Sequence, residues 1–220
     1  MYKDLNHVGE AGTRFFGKMS ATVSHEIKNG LAVINENAGL LEDLTHLAEK
    51  GLPLSADRLQ RLSNTIKRQV ARADGIVQKM NRFSHTTDRT IQPVNLYETT
   101  VFVTEVCDRL ISIRNVSVNV TPPATPVIVS SGLFYLEHLI WACMDFMMHA
   151  QRSGNAITLT FEKRSPGAQI KLSGSGSLET VSAGIFPSQT EKMLQESLQA
   201  DIHVDAGNAE ILILLPEAIH

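Results

Sequence analysis

His25, Glu26, Lys28 and Asn29 crowd into little more than one helical turn, and together they surround a nitrogen nucleophile with polar groups. An imidazole standing in water titrates near neutrality, so an unprotonated ring nitrogen is available at physiological pH. Glu26 is a candidate to hydrogen-bond the other ring nitrogen, or to take its proton, and so fix the tautomer. Lys28 could support an anionic group in transfer or the acidic rim of a docked partner; a solvated helix lysine is the plainer reading. Asn29 could orient a water or be an ordinary polar surface position.

Whether that imidazole meets water depends on the element carrying it. Phe16 to Ile34 scans as an amphipathic helix. Phe16, Met19, Val23, Ile27, Leu31 and Ile34 recur at three- and four-residue steps, and Ala38, Leu41 and Thr45 continue the row. At about 100° per residue, His25 points about 180° away from the centre of that stripe, and Asn29 lies within about 40° of His25. A histidine so placed is turned to solvent rather than packed.

The first helix is expected from about Glu10 to about Lys50, after a polar, frayed start over residues 1–9. Gly51-Leu52-Pro53 breaks it and Ser55 is a good N-cap for a second helix. The second helix has its own stripe in Leu59, Leu62, Ile66, Val70, Ala73, Val77, Met80 and Phe83. Two long helices on a short loop make a hairpin. Each hairpin has more apolar face than its partner helix covers, so a homodimer forming a four-helix bundle is expected. A coiled-coil spacer with an incidental histidine is the rival reading. Thr86 to Gln92 reads as a polar linker, placing a domain at 1–88 and another at 89–220.

The second domain starts at Pro93-Val94-Asn95 and alternates helices with strands. Helices are expected over 96–111, 133–150 and 188–199, and strands at 116–120, 127–129, 157–161, 168–172, 202–205 and 210–215. This order suggests an α/β sandwich, one mixed sheet with helices on one face, and the whole chain is then α+β.

Composition limits the classes. With 220 residues and 43% apolar content the chain can build a real core, and a net charge of −3 with interspersed signs gives no basic footprint for nucleic acid. Cys107 and Cys143 lie in apolar helical surroundings and read as reduced and buried. No run of about 18 apolar residues and no signal-peptide pattern at Met1–Gly12 is present, so a soluble, cytoplasmic protein without a membrane span is expected. The other histidines, His7, His46, His85, His138, His149, His203 and His220, offer no pair with metal-ligand spacing.

Ser24-His25-Glu26-Ile27-Lys28-Asn29, with Phe16 upstream and Leu31 and Ile34 downstream, resembles the phospho-acceptor box of sensor histidine kinases. That family usually has proline where this chain has Gly30. The second half is similar to the ATP-binding domain of the same kinases, most clearly at Asp201 to Val204 and Ile211 to Pro216. Its nucleotide machinery departs from the pattern. Ala142 and Asp145-Phe146 stand where the family places Mg²⁺-binding asparagines. Ser173-Gly174-Ser175-Gly176 has no aspartate for adenine, Gly176 to Gly184 is short for an ATP lid, and Gly184 to Pro187 is a poor second glycine box. Asp145, a lone carboxylate, reads as capping or pairing locally.

The resemblance implies a histidine phosphotransferase that relays phosphoryl groups to or from response-regulator aspartates through His25 without using ATP. It implies no cofactor of the chain's own, Mg²⁺ supplied by the response-regulator receiver, and a docking surface from Phe16 to Leu31 with Met80 and Phe83. It also makes Glu26 and Asn29 resemble the family's phosphatase signature. Rival readings are an autokinase with an unconventional nucleotide site, a phosphatase for a phosphorylated regulator, and a non-catalytic adaptor or inhibitor in two-component signalling.

Overall fold

Two long helices open the chain. In the computed structural model, which describes residues 2–150, 155–175, 178 and 186–219 and side chains from Val8 onward, α1 runs unbroken over Tyr2–Glu49. The backbone of residues 2–9, expected to fray, is helical. The buried row is Phe15, Met19, Val23 and Leu44, with Phe15 sealed at 4% exposure and Phe16 only half-buried. The helix closes where Gly51 adopts a φ of 86°, and Leu52 N–H returns to the Leu47 carbonyl at 3.1 Å. Gly suits that left-handed cap because it lacks a Cβ. α2 follows over Ala56–Ser84, and the Ser55 carbonyl accepts from the amides of Arg58 and Leu59 at 3.1 Å.

The described residues form two compact units. One is the hairpin Met19–Ser84; the other joins Met1–Lys18 to His85–His220. In the hairpin unit the helices approach closely at Gly30, where an added Cβ would sit 3.7 Å from the Gln69 side-chain oxygen. The hairpin leaves Leu31, Leu40, Leu47, Val70 and Val77 exposed, with Leu31 and Val70 each at 53%.

In the second unit, β1 (Gln92–Asn95) leads straight into α3 (Leu96–Val106), α4 (Asp108–Arg114), β2 (Ser117–Val120), β3 (Ile128–Ser131) and α5 (Leu133–Ala150). β4 (Ala156–Lys163), β5 (Ala168–Gly174), α6 (Gln189–Leu198), β6 (Asp201–Asp205) and β7 (Glu210–Leu215) complete it. Three features differ from the sequence reading, the first being that β1 and β3 form a two-stranded sheet of their own instead of joining the one mixed sheet expected. The expected linker ends in a strand, because β1 pairs antiparallel with β3, Val94 facing Val129. The single helix expected over 96–111 is two, parted at Cys107, whose φ of −95° and ψ of 3° leave the helical region. Asn95 caps α3 with its side-chain oxygen, which accepts from the Tyr97 amide at 3.1 Å.

The five-stranded sheet has the order β2-β4-β5-β7-β6, with β2 and β4 parallel and the other neighbours antiparallel. Period-two alternation builds two apolar rows across it. Leu159, Leu172 and Ile211 stand in one, and Phe161, Ile170 and Ile213 in the next; all six are buried. α3 packs on β2, α5 packs on β5, and α6 lies beside α5. α5 seals Leu139, Ile140, Cys143, Met144 and Met147. Between β4 and β5, Gly167 has a φ of 90°, and a Cβ there would collide with the Leu215 backbone oxygen. The chain is α+β, a two-helix hairpin followed by an α/β sandwich, as its residue pattern suggests. Both cysteines are free and buried, and burial pushes their thiols well above the ordinary range.

Because Leu172 is fully buried between Leu159 and Ile211, Leu172→Ala should cost about 3 kcal/mol in denaturant unfolding. The exposed Ile113→Ala should change it by less than about 0.5 kcal/mol.

Candidate functional site

His25 is exposed on α1, on the side away from the buried Met19 and Val23, as the helical wheel requires. Asn29, one turn on, is the residue that touches its ring. The Asn29 Nδ2 lies 3.1 Å from His25 Nδ1. The end of the carboxamide at that distance sets the tautomer. With nitrogen there, the amide donates and Nδ1 must be bare; with the isosteric oxygen there, Nδ1–H donates and Nε2 keeps its lone pair.

Glu26 is placed differently from the role sequence suggested. It is half-buried, its Oε1 lies 3.5 Å from an Arg72 guanidinium nitrogen on α2, and it makes no hydrogen bond to His25 among the described residues. Adjacent helix residues diverge by about 100°, so the carboxylate faces α2 while the imidazole faces water. The ring contact expected of Glu26 is therefore made by Asn29. Lys28 is exposed. His25, Lys28 and Asn29 thus form one exposed patch on α1, and the half-buried Glu26 beside it is tied to α2 by its pair with Arg72. Arg72 was not singled out in the sequence, because neither stripe gives the register of one helix against the other.

The expected docking surface needs one correction. Phe83 is 2% exposed, so it is packed rather than presented. The same stripe arithmetic that predicted α2 counts it as core.

In the other unit, Asp145 does pair locally. Its carboxylate lies 3.4 Å from Lys18 Nζ of α1 and 3.4 Å from an Arg114 guanidinium nitrogen of α4. Lys18 also stands 5.0 Å from the centre of the Trp141 ring, over its face. Next to this pair, His138 is buried and stacks on Phe15, ring centres 4.4 Å apart and planes within 2°. Its Nδ1 has no hydrogen-bond partner among the described residues. Burial, aided by the nearby Lys18 charge, lowers its pKa to about 4, so it is neutral at pH 7. Ser173 to Ser175 close β5, while Gly176 to Gly184, Leu178 excepted, and Ile185 lie outside the described residues. Among the described residues no group of three or more His, Cys, Asp or Glu could hold a metal ion, and no helix is long and apolar enough to cross a membrane.

Residues 17–88 match the His Kinase A (phospho-acceptor) domain. No curated protein matches the chain. Among solved structures, it is similar to the catalytic domain of histidine kinase ThkA at 13% identity, over 60% of this chain and 100% of that one, with a TM-score of 0.49. It is also similar to Acinetobacter baumannii histidine kinase AdeS at 13% identity, over 88% and 98% of the two chains, TM-score 0.49. Histidine kinase ThkA in complex with response regulator TrrA is similar at 18% identity, over 99% of this chain and 66% of that one, TM-score 0.48.

The buried His138 gives a pH dependence whose sign is fixed. Unfolded, the imidazole titrates near 6.5; folded, near 4; between these values the unfolded chain binds more protons, so stability rises with pH. Folding stability should fall by up to about 3 kcal/mol as pH drops from 6.5 to 4, and equilibrium unfolding of His138→Phe should lack that part of the slope.

Proposed function

We propose that this chain, whose residues 17–88 match the His Kinase A (phospho-acceptor) domain, is a histidine phosphotransferase of two-component signalling. Phosphoryl groups pass through His25 to or from the aspartates of response-regulator receiver domains, and the chain does not draw them from ATP. The observation that carries this reading is an imidazole exposed on a long helix, with a carboxamide 3.1 Å from one ring nitrogen.

The chemistry follows from that pair. When the Asn29 oxygen accepts Nδ1–H, Nε2 is the bare nitrogen and attacks the phosphorus of an aspartyl phosphate. The N–P bond forms, the P–O bond to the aspartate breaks, and the aspartate leaves as a carboxylate; the reverse step charges a second receiver. Mg²⁺ and the groups that neutralise the transferring oxygens come from the receiver, a division of labour that phosphoryl transfer allows. Lys28, exposed beside the ring, adds positive charge for the phosphoryl group or for an acidic rim. Glu26, held by Arg72, braces the two helices under the acceptor.

The working form is a homodimer in the cytoplasm. Leu31, Leu40, Leu47, Val70 and Val77 are exposed on the hairpin, and a second copy would cover such an apolar face in a four-helix bundle. The pairing of Asp145 with Lys18 and Arg114 supports the absence of ATP chemistry, since that carboxylate already has two cations. A second reading is favoured by Asn29's exposure one turn from His25. There Asn29 orients a water against the receiver's acyl phosphate, and the protein removes phosphate instead of passing it on.

Mixing with a labelled, phosphorylated receiver distinguishes these readings. Wild-type protein should take up label and His25→Gln none, while Asn29→Ala should slow uptake by about ten- to a hundredfold. Label on His25 from Mg²⁺ and ATP alone would make the chain an autokinase, and receiver dephosphorylation undiminished in His25→Gln but lost in Asn29→Ala would make it a phosphatase. A His25→Gln variant that still supports the partner in full would leave only an adaptor.

A further inference from the structure

A cavity of about 370 Å³ opens within the unit formed by Met1–Lys18 and His85–His220. Three segments wall it: the early turns of α1, the residues after α2, and the entry to α5. Its volume falls in the range of about 300–1,000 Å³ typical of small-molecule sites. Phe16, Leu133 and Phe134 give it an apolar side. Phe134 is held in place by Phe15 and Tyr135, with ring centres 5.7 and 5.9 Å away, so the wall is preformed.

The rest of the described lining is largely polar and carries a single charge. Thr90 and Arg89 belong to it, and Arg89 is the one charged residue of the cavity wall among the described residues. Arg89 is exposed and makes no ion pair among the described residues. The adjacent Asp88 pairs with His85 at 2.8 Å and makes no ion pair with Arg89 among the described residues. Guanidinium planes match carboxylates with two parallel donors.

Gly12 keeps the space open. It sits inside α1, where glycine costs about 1 kcal/mol relative to alanine. A Cβ at that position would lie 3.1 Å from the Phe134 ring, and a larger side chain would enter the cavity.

We propose that this cavity binds a small organic monoanion with an apolar body, the body against Phe16 and Phe134 and the anionic group on Arg89. Such a ligand touches three chain segments distant in sequence. Bound to the folded form alone, it stabilises the docking of the first turns of α1 on this unit. The inference is independent of what His25 does.

The test is an amide chemical-shift titration of the full chain with 4-phenylbutyrate, and with 4-phenylbutanol as its uncharged counterpart. Saturable shifts at Gly12, Arg89 and Gly132, at least about tenfold weaker binding of the alcohol, and a similar loss in Arg89→Gln are expected. Gly12→Leu should abolish the shifts. The exposed Arg89→Gln keeps the test decisive if Gly12→Leu does not fold. Shifts that do not saturate, that map to other residues, that survive Arg89→Gln at full affinity, or that the alcohol reproduces equally would overturn the proposal.

Discussion

A helix of 3.6 residues per turn that packs on one side through Met19 and Val23 leaves His25 on its open side. That periodicity is the constraint on which the candidate site rests. Once the apolar row of α1 turns inward, the imidazole is turned to water whatever its local sequence. Asn29 follows on the same side one turn later, near enough for its carboxamide to touch the ring. Glu26, rotated by about 100°, is carried toward α2 and Arg72. One geometric rule thus divides three neighbouring polar residues into an exposed imidazole, its ring partner and a carboxylate paired with the other helix.

The α/β unit rests on a different periodicity. Alternation along β4, β5 and β7 stacks leucine and isoleucine into rows that α5 covers, and the burial of α5 leaves few polar positions on it. Asp145 is one of them, and it is shared between Lys18 and Arg114. His138 is another, kept neutral by burial and stacked on Phe15. Residues of α1 therefore complete the packing of a unit whose other elements begin at residue 85. These contacts use the polar groups of α5 for cohesion.

Much of this was legible in the residues. Both long helices, the outward His25, α5, and β4 to β7 follow from apolar spacing, because burial on one face is what that spacing encodes. The failures are equally physical. β1 is short and contains Pro93, so its strand character comes from the partner β3, far along the chain. Cys107 looks helical by composition, yet the chain bends there. Phe15 and Phe16 are adjacent, and only packing decides which is sealed. Within the site, sequence brought the polar residues together but could not say which one meets the ring. The register that brings Arg72 to Glu26 depends on the loop between the helices, and no pattern within either helix encodes it.

The central claim is that one exposed imidazole accepts the phosphoryl group. The most direct measurement is residue-level mapping of phosphate, by electron-transfer tandem mass spectrometry in alkali, after the chain has met a phosphorylated receiver. The account predicts an acid-labile, alkali-stable phosphate on His25. Phosphate found on another residue, or none on the chain while the receiver loses its own, would contradict it.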